Sequence, residues 1–173
     1  MDFNNKKILV AFFSHKGQNY VSGSIVELKK GNTAVVADMI AGLMNADVFE
    51  IQSVKEYPFQ YNECTTVAKS ELRENSRPKL TRDIDVTDYD VIFLGYPNWW
   101  GTMPMPVWTF LEEHDFTGKA IFPFCTHEGS GMGNSESDLR KLAAGAEIKK
   151  GLSIHGTSVN KAEVSVKNWI MKG

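Results

Sequence analysis

Two cysteines are all this chain has, Cys64 and Cys125. They lie far apart, in no Cys-x-x-Cys or Cys/His metal spacing, so neither a disulfide framework nor a zinc site is expected. Long apolar runs are missing too. The longest, Ile8–Phe13, is far too short to cross a bilayer, and the polar start Met1-Asp2-Phe3-Asn4-Asn5-Lys6-Lys7 lacks the apolar core and cleavage site of a secretory signal. A cytoplasmic location is the expectation, with no membrane partner. There is little excess of either charge: 19 basic against 21 acidic residues leave a formal net charge of −2. Lys29-Lys30 and Lys149-Lys150 are isolated pairs, so a basic face for nucleic acid is not expected. Repeats, low-complexity tracts and linkers are absent, and 173 residues suit one domain spanning 1–173.

What is present is an alternation of short apolar runs with segments of helical period, the pattern of βαβ units on a parallel sheet. Lys7–Phe13 reads as a central strand buried on both faces. Thr33–Met44 places Val36, Ile40, Leu43 and Met44 at helical spacing, with Asn32 or Thr33 as N-cap. Asp47–Ile51 is a second strand, Glu63–Asn75 a polar helix and Val91–Gly95 a third strand. Val107–Glu113 then forms a helix, Lys119–Cys125 a fourth strand and Ser135–Ala144 a helix. Ile148–His155 is the fifth strand and Lys161–Met171 the closing helix. The helix after the first strand is delayed to about Asn32. Between them, Asn19–Leu28 carries β-branched residues on both sides of Ser22-Gly23, a hairpin signal.

Three polar or glycine-rich stretches follow strands one, three and four, where the loops of an open parallel sheet converge on one crevice. In the first, Ser14, Lys16 and Asn19 precede Gly31-Asn32-Thr33 at a helix start. Hydroxyls, amides and the unpaired N–H groups there suit a phosphate. The second, Pro97-Asn98-Trp99-Trp100-Gly101, sets two indoles beside a glycine, an arrangement suited to covering a flat ring such as a flavin. The alternative is that the indoles pack over the third helix, and one of them is expected to do so even if the other covers a ring. The third, Thr126-His127-Glu128-Gly129-Ser130-Gly131, offers side chains and glycine backbone to the polar edge of such a ring, and His127 is placed to tune its protonation.

Together these segments resemble the flavodoxin superfamily, most specifically through Pro97-Asn98-Trp99-Trp100-Gly101-Thr102-Met103-Pro104. The resemblance implies a doubly wound α/β fold with a five-stranded parallel sheet in the order 2-1-3-4-5, carrying here a hairpin-like insertion after the first strand. It also implies non-covalent FMN and redox chemistry at the flavin. On it, Ser14, Lys16, Asn19, Asn32 and Thr33 are expected at the phosphate. Pro97, Asn98, Trp99, Trp100 and Gly101 are expected over one ring face, and Thr126, His127, Glu128, Gly129 and Ser130 at the pyrimidine side. No residue reads as a protein nucleophile, acid or base. The family's compact phosphate loop is split here by the insertion.

Two roles stay open: an NAD(P)H-linked reductase of quinone-like acceptors, and a one-electron carrier serving a protein redox partner, with a homodimer among the possible assemblies. The weak net acidity favours the reductase, because carriers dock through strongly acidic faces. A phosphoacceptor receiver shares the topology. It needs an acidic pair where this chain has Ser14-His15-Lys16, and an Asp where it has Leu94-Gly95.

Overall fold

The computed structural model describes residues 1–173. Its centre is three parallel strands, β1 (Ile8–Phe12), β5 (Val91–Pro97) and β6 (Ala120–His127). Around them the chain adds β2 (Gly17–Val21), β3 (Ser24–Leu28), α1 (Asn32–Met44), β4 (Asp47–Glu50) and α2 (Tyr61–Arg73). After β5 come α3 (Met105–Glu113), α4 (Ser135–Leu142), β7 (Glu147–Ile148), β8 (Leu152–His155) and α5 (Glu163–Lys172). The main sheet runs β4-β1-β5-β6, with β7 and β8 both paired to β6, every neighbour parallel. Counted without the hairpin and with β7 and β8 as one strand, this is the expected order 2-1-3-4-5.

Burial on both faces explains the continuous apolar runs. Successive side chains alternate between two cores. Leu9, Ala11 and Phe13, with Ile92, Leu94 and Tyr96, face Val107, Phe110 and Leu111 of α3 and Leu139 of α4. Ile8, Val10 and Phe12, with Phe93, Phe122 and Phe124, face Val36 and Ile40 of α1 and Val166 and Ile170 of α5. The helices therefore cover both faces of the sheet.

The inserted hairpin is present as β2 and β3, a separate antiparallel pair. Its turn is Ser22-Gly23, both with positive φ, 47° and 89°, as a two-residue type I′ turn requires.

Three expectations need correction. The fifth strand is not continuous over Ile148–His155, but broken into β7 and β8 around Lys149-Lys150-Gly151. Pro123 supplies the reason. Alternate residues of a strand direct their hydrogen-bonding groups to opposite neighbours, and the Ile121 carbonyl accepts from Lys149 N at 2.9 Å. Position 123 therefore faces the same edge, where proline has no N–H to donate. The Gly151 N–H left over at the break donates to Glu136 Oε1 at 2.8 Å. The N-cap of α1 is Gly31, not Asn32 or Thr33; its role is filled from β1's end, where Ser14 Oγ accepts from Ala34 N at 3.1 Å. Helix boundaries also shift: α2 begins at Tyr61, where the Gln60 carbonyl accepts from Cys64 N at 2.9 Å, and α3 begins at Met105, after Pro104.

Gly95 pairs in register with Phe124, and a Cβ there would collide with the Phe124 ring. Gly95→Ala is expected to destabilise the protein by about 1–3 kcal/mol through overpacking. Urea unfolding measures it, and an unchanged midpoint would show that the ring yields freely.

Candidate functional site

The loops after β1, β5 and β6 end on one side of the sheet and border a cleft of about 580 Å³. Along its floor lie the start of α1 and the ends of β5 and β6. Thr33 and Thr126, both buried, share a hydrogen bond of 2.8 Å between their hydroxyls, which locks α1 to β6. Asn32 and Thr33 line the cleft, and no protein acceptor meets their backbone N–H groups. These orphan donors of a helix start face an anion favourably. Gly31 lets the chain pass there. A Cβ on it would strike Ser14 Oγ and the His15 carbonyl.

The loop after β5 is a tight turn. Trp99 N donates to the Thr102 carbonyl at 2.9 Å, and Thr102 N to the Trp99 carbonyl at 3.2 Å. Trp100 and Gly101 between them have φ of 54° and 86°, again a type I′ pair, and a positive φ is rare for so bulky a residue. Trp100 is held there from outside: its indole N–H donates to the Thr65 carbonyl at 3.0 Å, and the Lys69 ammonium sits 4.8 Å from its ring centre. It is 50% exposed. Trp99 points inward, edge-on to Phe13 and Tyr57 at 5.2 and 4.9 Å. Asn98 braces the loop, with Oδ1 accepting from Gly101 N at 2.9 Å and Nδ2 donating to the Gly131 carbonyl at 2.8 Å.

In the loop after β6, His127 Nδ1 accepts from Gly129 N at 2.9 Å, so the neutral ring carries its proton on Nε2. Burial, then the neighbouring His155 ring, hold the His127 pKa below its usual 6.5, against the pull of Glu128. His15 is also held below 6.5, chiefly by burial, and its Nε2–H donates to the Pro58 carbonyl at 3.1 Å. Both rings favour the neutral form. Glu128 turns toward the hairpin, where its Oε2 accepts from Ser22 N at 3.0 Å. His155 Nε2 lies 3.5 Å from the same oxygen.

Of the residues expected at the site, Asn19, Asn32, Thr33, Pro97, Asn98, Trp99, Trp100, Thr126, His127, Glu128 and Ser130 line one cleft. Ser14, Lys16, Gly101 and Gly129 are not on its wall. Ser14 is set back as the cap of α1, Lys16 is exposed, and Gly101 is held in the turn. Sequence reasoning missed a wall. Tyr61, Cys64, Thr65 and Ala68 of α2 face the cleft, a spacing of i, i+3, i+4, i+7 that defines one helical face. Tyr20 of the hairpin lies beside them. That stripe was the available signal. The Cys64 thiol is pushed up to about 12 by burial and by Glu71, so it stands as a neutral thiol.

Parallel strands wound on both faces, with their carboxyl ends opening on an aromatic-walled cleft, define a doubly wound cofactor-binding protein. The chain belongs to the flavodoxin family, whose family model, described as flavodoxin, matches residues 7–172. It is similar to a Bacteroides uniformis chain designated a flavoprotein, with 30% identity over 96% of this chain and 98% of that one and a TM-score of 0.72. A Bacteroides eggerthii chain of the same designation shares 27% identity over 94% and 99%, with a TM-score of 0.71. The flavoprotein from Lactobacillus acidophilus in complex with FMN shares the fold, at 20% identity over 90% and 97% and a TM-score of 0.64. No curated protein matches the chain. No helix is long and apolar enough to cross a membrane.

Because His15 and His127 hold fewer protons folded than unfolded, stability should be full above pH 6.5 and fall as the pH drops through the window below it. Titration by NMR should place both imidazoles' midpoints under 6.5. A midpoint at or above that value for His15 would contradict its burial as the controlling influence.

Proposed function

We propose that the chain binds FMN in this cleft and acts as an NAD(P)H-linked reductase of quinone-like acceptors. The observation that carries the FMN reading is the unpaired pair of N–H groups of Asn32 and Thr33, at a helix start where the backbone of Gly31 approaches closely. A phosphate fits such a donor set without a lysine or arginine. Ser14, behind that helix start, still has its O–H to give after accepting from Ala34, while the Asn19 side-chain amide is spent on the loop itself, donating to the His15 and Gly17 carbonyls at 3.3 and 3.1 Å. Pro97, Asn98, Trp99 and Trp100 would border the ring, with Thr126, His127 and Ser130 at its polar edge. Gly101 shapes the turn of the second loop, Gly129 orients His127 through its N–H and Glu128 holds the hairpin, whereas Lys16 is exposed and takes no part.

When bound, FMN supplies reversible two-electron chemistry. Overall, NAD(P)H, one proton and a quinone become NAD(P)⁺ and a hydroquinone. The chain's own part is to hold the ring, to keep His15 and His127 neutral beside it, and to exclude water with indole and phenol faces. The Cys64 thiol, held protonated by burial, offers no thiolate nucleophile. The formal net charge of −2 supports the reductase over a carrier that docks by acidic attraction.

The purified protein is expected to show flavin absorption and to release FMN on denaturation, since the phosphate end has no Gly-x-Gly-x-x-Gly turn for a pyrophosphate. Release of FAD alone would end the FMN reading. NADH or NADPH oxidation by the loaded protein should accelerate on adding a quinone; oxidation indifferent to quinone would favour the carrier.

Replacing the ring-stacking tryptophan, Trp99 or Trp100, by alanine should weaken FMN binding by about 0.5–1.5 kcal/mol in addition to lost burial. Fluorescence titration of the FMN-free protein measures it. Unchanged affinity in both variants would show that the indoles only pack the protein.

A further inference from the structure

The wall that sequence reasoning missed has a chemistry of its own. Tyr61, Cys64, Thr65 and Ala68 present one face of α2 to the cleft, and Tyr20 from the inserted hairpin stands against it. The Tyr20 and Tyr61 rings lie 6.2 Å apart at 31°, and Tyr20 is 43% exposed. Its cross-strand partner Ile25 is 46% exposed. Directly paired residues share a face of the hairpin, so the apolar surface continues outward from the cleft. Across from them Trp100 is tied to α2 through the Thr65 carbonyl. None of these α2 and hairpin side chains belongs to the loops that suit the phosphate or the ring edge. The cleft wall carries no lysine or arginine, Lys69 meeting the Trp100 ring without lining the cleft; its one carboxylate, Glu128, stands on the loop after β6, where Oε2 accepts from Ser22 N and Oε1 is buried with no hydrogen-bond partner.

The α2 and hairpin side chains of the wall, Tyr61, Cys64, Thr65, Ala68 and Tyr20, carry no charge, and burying a charged group against them without a partner is costly. They suit a flat, uncharged ring, which phenol and indole faces contact well. An exposed apolar patch beside a cleft marks such a binding place.

We infer that Tyr20 and Tyr61, with the Cys64–Thr65–Ala68 face of α2, form the subsite for the acceptor beside the Trp100 indole that borders the flavin, and that the acceptor is an uncharged planar aromatic compound of the quinone type. The inference rests on the FMN reductase reading for its context, but the subsite belongs to the protein and does not need the cofactor to be read. The inserted hairpin is thereby a determinant of acceptor choice.

The test is calorimetric binding of 2-methyl-1,4-naphthoquinone and of 1,4-naphthoquinone-2-sulfonate to the oxidised FMN-loaded protein and to the FMN-free protein. The neutral ring should bind the parent more tightly than the sulfonate. Tyr20→Ala, at an exposed position, and Tyr61→Leu should each weaken the neutral quinone about fivefold. In turnover the change should fall on KM and not on kcat, and FMN affinity should stay within about twofold. If either variant weakens FMN as much as quinone, this wall holds the cofactor and the inference is overturned. Quinone affinity unchanged in both variants, or equal affinity for the sulfonate, overturns it as well. A parent that binds quinone but no FMN would defeat the functional reading while leaving the subsite standing.

Discussion

The in-register pairing of β1, β5 and β6 is the constraint on which the site depends. Phe12 lies beside Gly95, and Pro97 beside Thr126, so three loops distant in sequence emerge at one level. Parallel strands need both faces covered, and the two cores fix the strands from either side. A slip of one residue in any strand would exchange its two faces and displace its loop. The site inherits its geometry from the packing beneath it.

Onto that platform the loops are fastened to one another more than to the core. Ser14 caps α1 across the split first loop, Thr33 meets Thr126, and Asn98 joins the second loop to the third at Gly131. Each is a hydrogen bond in a largely buried setting, where losing one partner leaves the other unsatisfied. Backbone donors at α1 can then remain unpaired without collapse of the loop.

Much of this was legible in the sequence. Continuous runs such as Ile8–Phe13 and Val91–Leu94 mark doubly buried strands, and Ser22-Gly23 between β-branched residues marks its hairpin, because both signals are local. The break in the fifth strand was not, since the effect of Pro123 depends on which neighbour its missing N–H would have faced. Nor was the capping by Ser14, which comes from a residue 20 positions away and frees Asn32 and Thr33 from that duty. The α2 stripe was hidden for another reason. Tyr61, Cys64, Thr65 and Ala68 are neither strongly apolar nor charged, so a helix that lines a cleft reads as an ordinary polar helix.

The hairpin has a consequence for how the molecule breathes. Two strands alone are marginally stable in water, and β2 and β3 join no larger sheet. One flank is held by the Gln18 N–H donating to the Phe59 carbonyl and by the Tyr61 N–H donating to Gln18 Oε1, the tip by the Ser22 N–H donating to Glu128 Oε2. Few buried apolar contacts back these bonds. Such a segment opens at a free energy well below that of global unfolding, so one wall of the cleft is a separately melting unit on a rigid sheet. Amide exchange in this protein should thus be graded, fast in β2 and β3 and slow in β1, β5 and β6, so that one wall of the cleft loosens while its floor stays fixed.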